Sequence, residues 1–335
     1  MRLENVIALT HATLLNSPYV TAFSGLSYEA KNVKRGTLFI AKDSSEIELA
    51  IQNGAYGILF DSPIQMIDSE IAWIKVDELT TALLKILRFH ILDKNITAYE
   101  CDAITFDLST QITTQSRFVS LCGDIYAVFK ELWELSQDSV LLYSSSFTCK
   151  DLFTHPKEMP DHNESKIAII EQTLFETSFI YDDIYYERVL LSPFFIPYLE
   201  ILFEVFRTEK IDFKITSFKN IKHFEPVFTN KKFEIKEFGT SDKVLIFEPD
   251  FKLVDTQISF LKEQANWAKI IYIIPKERAE NLENLENVYT YQTQLDIIAL
   301  LKITDFHFAL IAEQDRSLLD THVFAKQQIQ LTLDF

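Results

Sequence analysis

Residues 23–61, FSGLSYEAKNVKRGTLFIAKDSSEIELAIQNGAYGILFD, decide the fold class. The run TLFIA at 37–41 is apolar and β-prone, which predicts a buried strand. Ile47, Ala50 and Ile51 then recur at helical spacing, and Gly54 stands where a helix can end in a left-handed cap. Residues 58–60 return to strand. Working outward, residues 71–76 predict another strand, and Leu79, Ala82, Leu83, Ile86 and Leu87 mark the core face of a helix that closes near Leu92. Strand, helix, strand, strand, helix is the order of a small α/β domain, with residues 93–95 as a linker.

The same alternation continues downstream. FVSLC at 118–122 predicts a strand running into Gly123-Asp124, after which Ile125, Val128, Phe129 and Leu132 line one face of a helix with Asp124 as its N-cap. Residues 140–143 read as a strand. Residues 147–165 are polar, contain Pro156 and Pro160, and read as a surface loop. His155, Glu158, Asp161, His162 and Glu164 fall in this loop, but their spacing fits no zinc pattern, so no metal site is expected there. Asp182-Asp183 between two aromatic-rich runs predicts a hairpin over 179–191, followed by a helix near 198–206. Residues 244–247, 270–274 and 308–311 predict buried strands. Helix faces are expected at Ile258, Leu261 and Ala265, and at Leu295, Ile298 and Ala299. Strands alternating with helices imply a parallel sheet covered by helices.

Composition narrows the function classes. A chain of 335 residues that is 47% hydrophobic can bury two or three cores, so several domains are expected. Its net charge of −17 would repel a phosphate backbone, which argues against a nucleic-acid partner. The cysteines, Cys101, Cys122 and Cys149, form no C-x-x-C pair, so a reducing cytoplasm is the expected setting. Glu4 and His11 interrupt the first apolar stretch, which does not read as a secretory signal. Pro193, Pro197, Glu200 and Glu204 interrupt the longest apolar run, so no membrane span is expected.

Val33-x-x-Gly36-x-Leu38-Phe39-x-Ala41 and Ala50-x-x-x-Gly54-Ala55 resemble, in order, the uridine-nucleotide-binding first domain of Mur ligases, most closely the enzymes that add D-alanyl-D-alanine to a UDP-muramoyl-tripeptide. Weaker matches continue: residues 189–193 (VLLSP) resemble the end of that family's ATPase domain, residues 224–227 (FEPV) its entry into the third domain, and residues 243–248 (KVLIFE) that domain's first strand. The resemblance implies an α/β, three-domain Mur-ligase-like architecture with a reduced central domain and a Rossmann-like C-terminal domain. The boundaries it implies are 1–92, 93–223 and 224–335. It places a nucleotide-sugar site at Ser27, Tyr28, Lys31, Lys42, Ser44 and Ser45, where Lys31 would pair with a diphosphate and Tyr28 would stack on a base.

Each chemical motif within that outline is altered. A Mur ligase works through an acyl-phosphate and needs a Gly-x-x-Gly-Lys-Thr cradle for ATP. This chain has six glycines, at 25, 36, 54, 57, 123 and 239, and no Gly-Lys pair. Gly123-Asp124 therefore reads as a degenerate phosphate turn. Glu171 stands as a relic of the magnesium-ligating glutamate or as a strand-end residue facing solvent. The family's His-Asn pair is replaced by Phe195-Ile196, its Gly-Arg by Thr229-Asn230, and its Asp-Asp-Tyr stretch by residues 248–252, EPDFK. Without lysine and magnesium to neutralise phosphate charge, phosphoryl transfer loses most of its catalysis. The expectation is a non-catalytic binding or scaffold protein, linked to peptidoglycan precursor synthesis, with a protein partner, a UDP-sugar as possible ligand and no cofactor. Two alternatives stand beside it: an ATP-dependent acid-amino-acid ligase acting on a UDP-muramoyl-peptide, and a structural protein whose nucleotide pocket has filled with side chains. The 28 phenylalanines favour filled pockets.

Overall fold

The computed structural model describes residues 1–161, 165–219, 221–282 and 285–319. Two compact units interleave along the chain: Met1–Ala103 with Gln115–Met159, and Ile104–Thr114 with Pro160–Phe335.

The first unit begins with helix α1 (Leu3–Thr10) and a five-stranded sheet: β1 (Thr13–Leu14), β2 (Gly25–Ser27), β3 (Thr37–Ile40), β4 (Ala55–Phe60) and β5 (Ala72–Lys75), in the order β1-β5-β4-β3-β2. All neighbours are parallel except β1, which runs against β5. Alternate residues of β3 and β4 enter two cores. Leu38, Ile40 and Leu59 pack with α1 and with α3 (Leu79–Ile91), while Phe39, Ile58 and Phe60 join Ile47 and Ala50 of α2 (Ile47–Gln52). Burial on both faces is why these strands read as unbroken apolar runs. Ile86 and Leu87 are fully buried, and truncating either to alanine costs about 2–5 kcal/mol.

The chain then forms β6 (Thr97–Glu100), α4 (Ala103–Thr110), β7 (Ile112–Thr114), β8 (Phe118–Gly123), α5 (Ile125–Glu134) and β9 (Val140–Phe147). Strands β6, β9 and β8 make an all-parallel sheet in that order. The expected face of α5, Ile125, Val128, Phe129 and Leu132, is buried in one continuous core with Leu83, Ile86 and Leu87 of α3. The stretch read as a polar loop from 147 onward differs at its start. Phe147 ends β9, and Cys149 and Leu152 are buried beside it, because three apolar side chains offset the local polarity.

The second unit contains an antiparallel sheet of β10 (Ala168–Gln172), β11 (Thr177–Tyr181) and β12 (Ile184–Val189), then α6 (Ile196–Thr208) and β13 (Phe213–Ile215), which pairs with β7. Asp182 and Asp183, both at positive φ (49° and 61°), make the two-residue turn of the β11–β12 hairpin. Next come β14 (Glu225–Thr229), β15 (Lys243–Glu248), α7 (Val254–Gln264), β16 (Ile270–Pro275), β17 (Val288–Tyr291), α8 (Gln294–Ile303) and β18 (Phe308–Ala312). Their strands order as β14-β15-β18-β16-β17, with β14 antiparallel and the rest parallel. Pro226 sits in the edge strand β14, where a missing amide is tolerated. The buried face of α8 is Ile297, Ile298 and Leu301, while Leu295 and Ala299 are exposed. The expected face was rotated because LDIIALL is apolar on nearly every side and its periodicity selects no single face. Among the described residues, no helix is long and apolar enough to cross a membrane.

Candidate functional site

Strand β8 ends at Gly123, whose φ of +93° lets the chain turn directly into α5. Asp124 follows in extended conformation, and its Oδ1 accepts the backbone N–H groups of Tyr126 (3.0 Å) and Ala127 (2.9 Å). These are amides that a helix N-terminus offers to a bound anion. Here a carboxylate of the same chain takes them and puts its own negative charge at the positive end of the helix dipole. The Gly123 carbonyl is engaged as well, accepting the N–H of Thr148 at 3.1 Å. A side chain in place of the Gly123 hydrogen would meet Ala127 Cβ at 3.2 Å, so the turn is closely packed.

Of the six residues expected to hold a nucleotide sugar, Tyr28 and Lys42 meet. The Lys42 ammonium lies 4.7 Å from the Tyr28 ring centroid and 3.7 Å from that of Tyr126, in the first turn of α5. Tyr28 packs edge-on against Tyr126 and Phe129, at 6.1 Å and 5.8 Å between centroids. Burial, followed by the negative charges of Glu29 and Glu131, pushes the Tyr28 phenol up from its ordinary value. Ser27 is used locally, donating to the Glu29 carbonyl (2.8 Å) and accepting its N–H (3.2 Å). Lys31 is exposed and pairs with Glu29 at 3.3 Å. Ser45 bonds Asp43 through both its N–H and its hydroxyl, which lowers the Asp43 carboxyl, and the Ser44 carbonyl accepts the N–H of Ile47. Tyr126 and Phe129 are the partners that sequence reasoning missed. Phe129 was legible on the expected helix face and Tyr126 was not, and what either ring meets is a tertiary fact.

The second unit holds a site centred on Glu248, the first residue of the EPDFK stretch, whose partners sequence reasoning did not identify. Glu248, the last residue of β15, is fully buried and accepts four hydrogen bonds. They come from His223 Nδ1 (2.7 Å), the N–H of Phe224 (3.1 Å), the N–H of Asp250 (2.8 Å) and the Gln257 side-chain amide. Burial pulls His223 down, but the hydrogen bond and charge of Glu248, aided by Asp107 and Asp250, outweigh it, so the imidazole is raised above its ordinary value. Phe224 is wholly buried at φ +46°, a left-handed conformation that a bulky side chain rarely adopts. The preceding segment is pinned by Gln111, which accepts the Lys219 N–H at 2.6 Å, and by Asp107 of α4, which accepts that of Lys222 at 3.2 Å.

His223 and Phe224 line a cavity of about 350 Å³. Phe175, Phe195, Phe218 and Phe228 supply much of its wall, and Lys219, Glu225 and Arg316 bring charge to it. Burial raises the Glu225 carboxyl, opposed by the Arg316 guanidinium 3.7 Å away. Glu171 lies on β10 and is exposed. Among the described residues, no group of three or more His, Cys, Asp or Glu is placed to hold a metal ion; His162 and Glu164 lie outside the described residues.

No protein-family model matches the sequence, and no curated protein matches it either. Solved structures do resemble the fold. A MurF crystal structure from Acinetobacter baumannii superposes with a TM-score of 0.53 at 9% identity, over 98% of this chain and 98% of that one. The UDP-N-acetylmuramoylalanyl-D-glutamyl-2,6-diaminopimelate–D-alanyl-D-alanyl ligase of the same organism gives 0.51 at 10% identity, again over 98% of both chains. MurF ligase from Thermotoga maritima in complex with ADP gives 0.52 at 13% identity, over 92% of this chain and 98% of that one. The chain therefore has the multi-domain α/β fold of the Mur ligases, with parallel sheets, at a sequence distance where the likeness speaks for the fold alone.

Proposed function

We propose that this chain is a non-catalytic protein of Mur-ligase fold that acts by binding, as a scaffold for a protein partner in the cytoplasm, linked to peptidoglycan precursor synthesis. The observation that carries this reading is the Asp124 carboxylate on the N–H groups of Tyr126 and Ala127. A phosphate at this turn would have to displace a hydrogen-bonded anion and would find no Gly-Lys pair beside it. Gly123-Asp124 is thus read as a degenerate phosphate turn, within a three-domain partition at 92/93 and 223/224. The capture of Lys42 between Tyr28 and Tyr126 supports the same reading, because a cation held by two ring faces is less available to a diphosphate. Conversion to protein contacts also fits the acidic balance of the chain, which suits a basic or apolar patch on a partner.

Isothermal titration with ATP and magnesium tests this directly, and the expected result is no measurable heat of binding. Micromolar, magnesium-dependent ATP binding that disappears in the Gly123→Ala, Asp124→Ala double variant would instead support the ATP-dependent acid-amino-acid ligase acting on a UDP-muramoyl-peptide.

A further inference from the structure

We infer that the cavity between Phe195, His223 and Arg316 is a binding site for a small aromatic or apolar monocarboxylate. Every residue that lines it belongs to the second unit, whereas the turn at Gly123 belongs to the first.

Size sets the first bound. About 350 Å³ lies at the lower end of ligand-pocket volumes, which suits a compact molecule and leaves little room for a nucleotide. The walls set the second, because phenylalanine rings from several elements offer ring faces and edges and reward a flat or apolar body. Charge sets the third. Lys219 and Arg316 bring two cations against the single carboxylate of Glu225, while the charge of the His223 imidazole is balanced by Glu248 behind it, so the lining has room for one more negative charge. A dianion such as a phosphate ester would face Glu225 with only these two cations, whereas a monocarboxylate matches the planar guanidinium of Arg316.

The backbone gives separate support. Phe224 keeps its left-handed conformation because Glu248 accepts its N–H and the surrounding rings of Phe175, Phe194 and Phe260 hold its side chain. Strain of this kind persists only where neighbours over-determine it, and it gathers at ligand sites. The following residue, Glu225, begins β14 and lines the cavity.

Saturation-transfer NMR and calorimetry on the full chain, with phenylacetate, indole-3-acetate and hexanoate as probes, test the assignment. Phenylacetamide, adenosine and inorganic phosphate serve as controls. Phenylacetate is expected to bind about tenfold more tightly than its neutral amide, the ratio set by one charge-assisted hydrogen bond. Arg316→Gln should remove that preference while leaving the circular dichroism spectrum and melting curve intact, since the side chain is largely exposed. Lys219→Gln should weaken binding by a smaller factor. Equal binding of acid and amide, unchanged affinity in Arg316→Gln, or no transfer from any acid at millimolar concentration would each overturn the proposal. Displacement of phenylacetate by adenosine or phosphate would also overturn it, in favour of a nucleotide.

Discussion

Two carboxylates stand where a parallel strand gives way to the segment leading into a helix, and they do opposite things. Asp124, after β8, folds back onto the amides of its own helix, and the turn closes on itself. Glu248, at the end of β15, is one methylene longer and points sideways, where it gathers His223, Phe224, Asp250 and Gln257 around it. The first arrangement satisfies a helix and leaves nothing for an anion. The second organises a segment from outside its own strand, and two of the residues it holds line a cavity. An α/β fold places ligand sites beyond the carboxyl ends of its strands, but whether such an end stays open depends on which way one side chain turns.

The largest effect expected from breaking this contrast is at Glu248. Replacing it with alanine strands a buried imidazole and several buried donors, and should cost about 3–5 kcal/mol in urea denaturation. Glu248→Gln keeps the shape but puts an amide where donors converge, so it should fall between wild type and Glu248→Ala. A loss no larger than that at an exposed carboxylate would mean that Glu248 does not organise the cavity wall.

Removing a proton sharpens the same point more gently. His223 is raised in the folded chain above its ordinary value of 6.5, so folding favours the protonated imidazole. Its contribution is fully present below that ordinary value and is lost as pH rises through the folded one. The stability difference between wild type and His223→Gln should therefore shrink as pH is raised from 6.5 into the alkaline range. A difference that grows with pH would reverse the sign and remove the charged pair from the account.

At the closed turn the stakes are lower. Asp124→Ala should cost about 1 kcal/mol, the usual worth of an N-cap, and Asp124→Asn much less because the amide oxygen still caps. If Asp124→Ala instead gains affinity for ATP, the cap was the barrier to phosphate and the turn is occluded rather than lost.

What was legible in the sequence follows the same physics. Strands β3, β4 and β15 were readable because both faces are buried and the apolar run is unbroken. The cap at Asp124 was readable because it involves neighbours only two and three residues away. Strands β1, β2, β7 and β13 span two or three residues, too few to show a period. The His223–Glu248 pair was hidden for a different reason. Its members come together through the antiparallel register of β14 on β15, in which Glu225 faces Phe247, and no local spacing encodes that register. The cavity needed one step more, since Arg316 and Phe175 reach it from segments far along the chain.

The smallest effect concerns Lys42, and it bears most directly on whether the first unit has closed over its expected ligand. The ammonium sits over Tyr126 at 3.7 Å and Tyr28 at 4.7 Å while the residue as a whole is exposed, so the interaction should be worth about 0.5–1 kcal/mol. Lys42→Met retains most of the apolar stem and removes the charge, and Tyr126→Leu removes the ring, so a double-mutant cycle isolates the coupling from the packing each change disturbs. Coupling of that size, with no saturation transfer from UDP or UDP-N-acetylmuramic acid at millimolar concentration, would mean the lysine is committed to the protein's own rings. Zero coupling together with UDP binding that falls in Lys42→Met would show a lysine waiting for a diphosphate, and the contrast between a closed first site and an open second one would collapse.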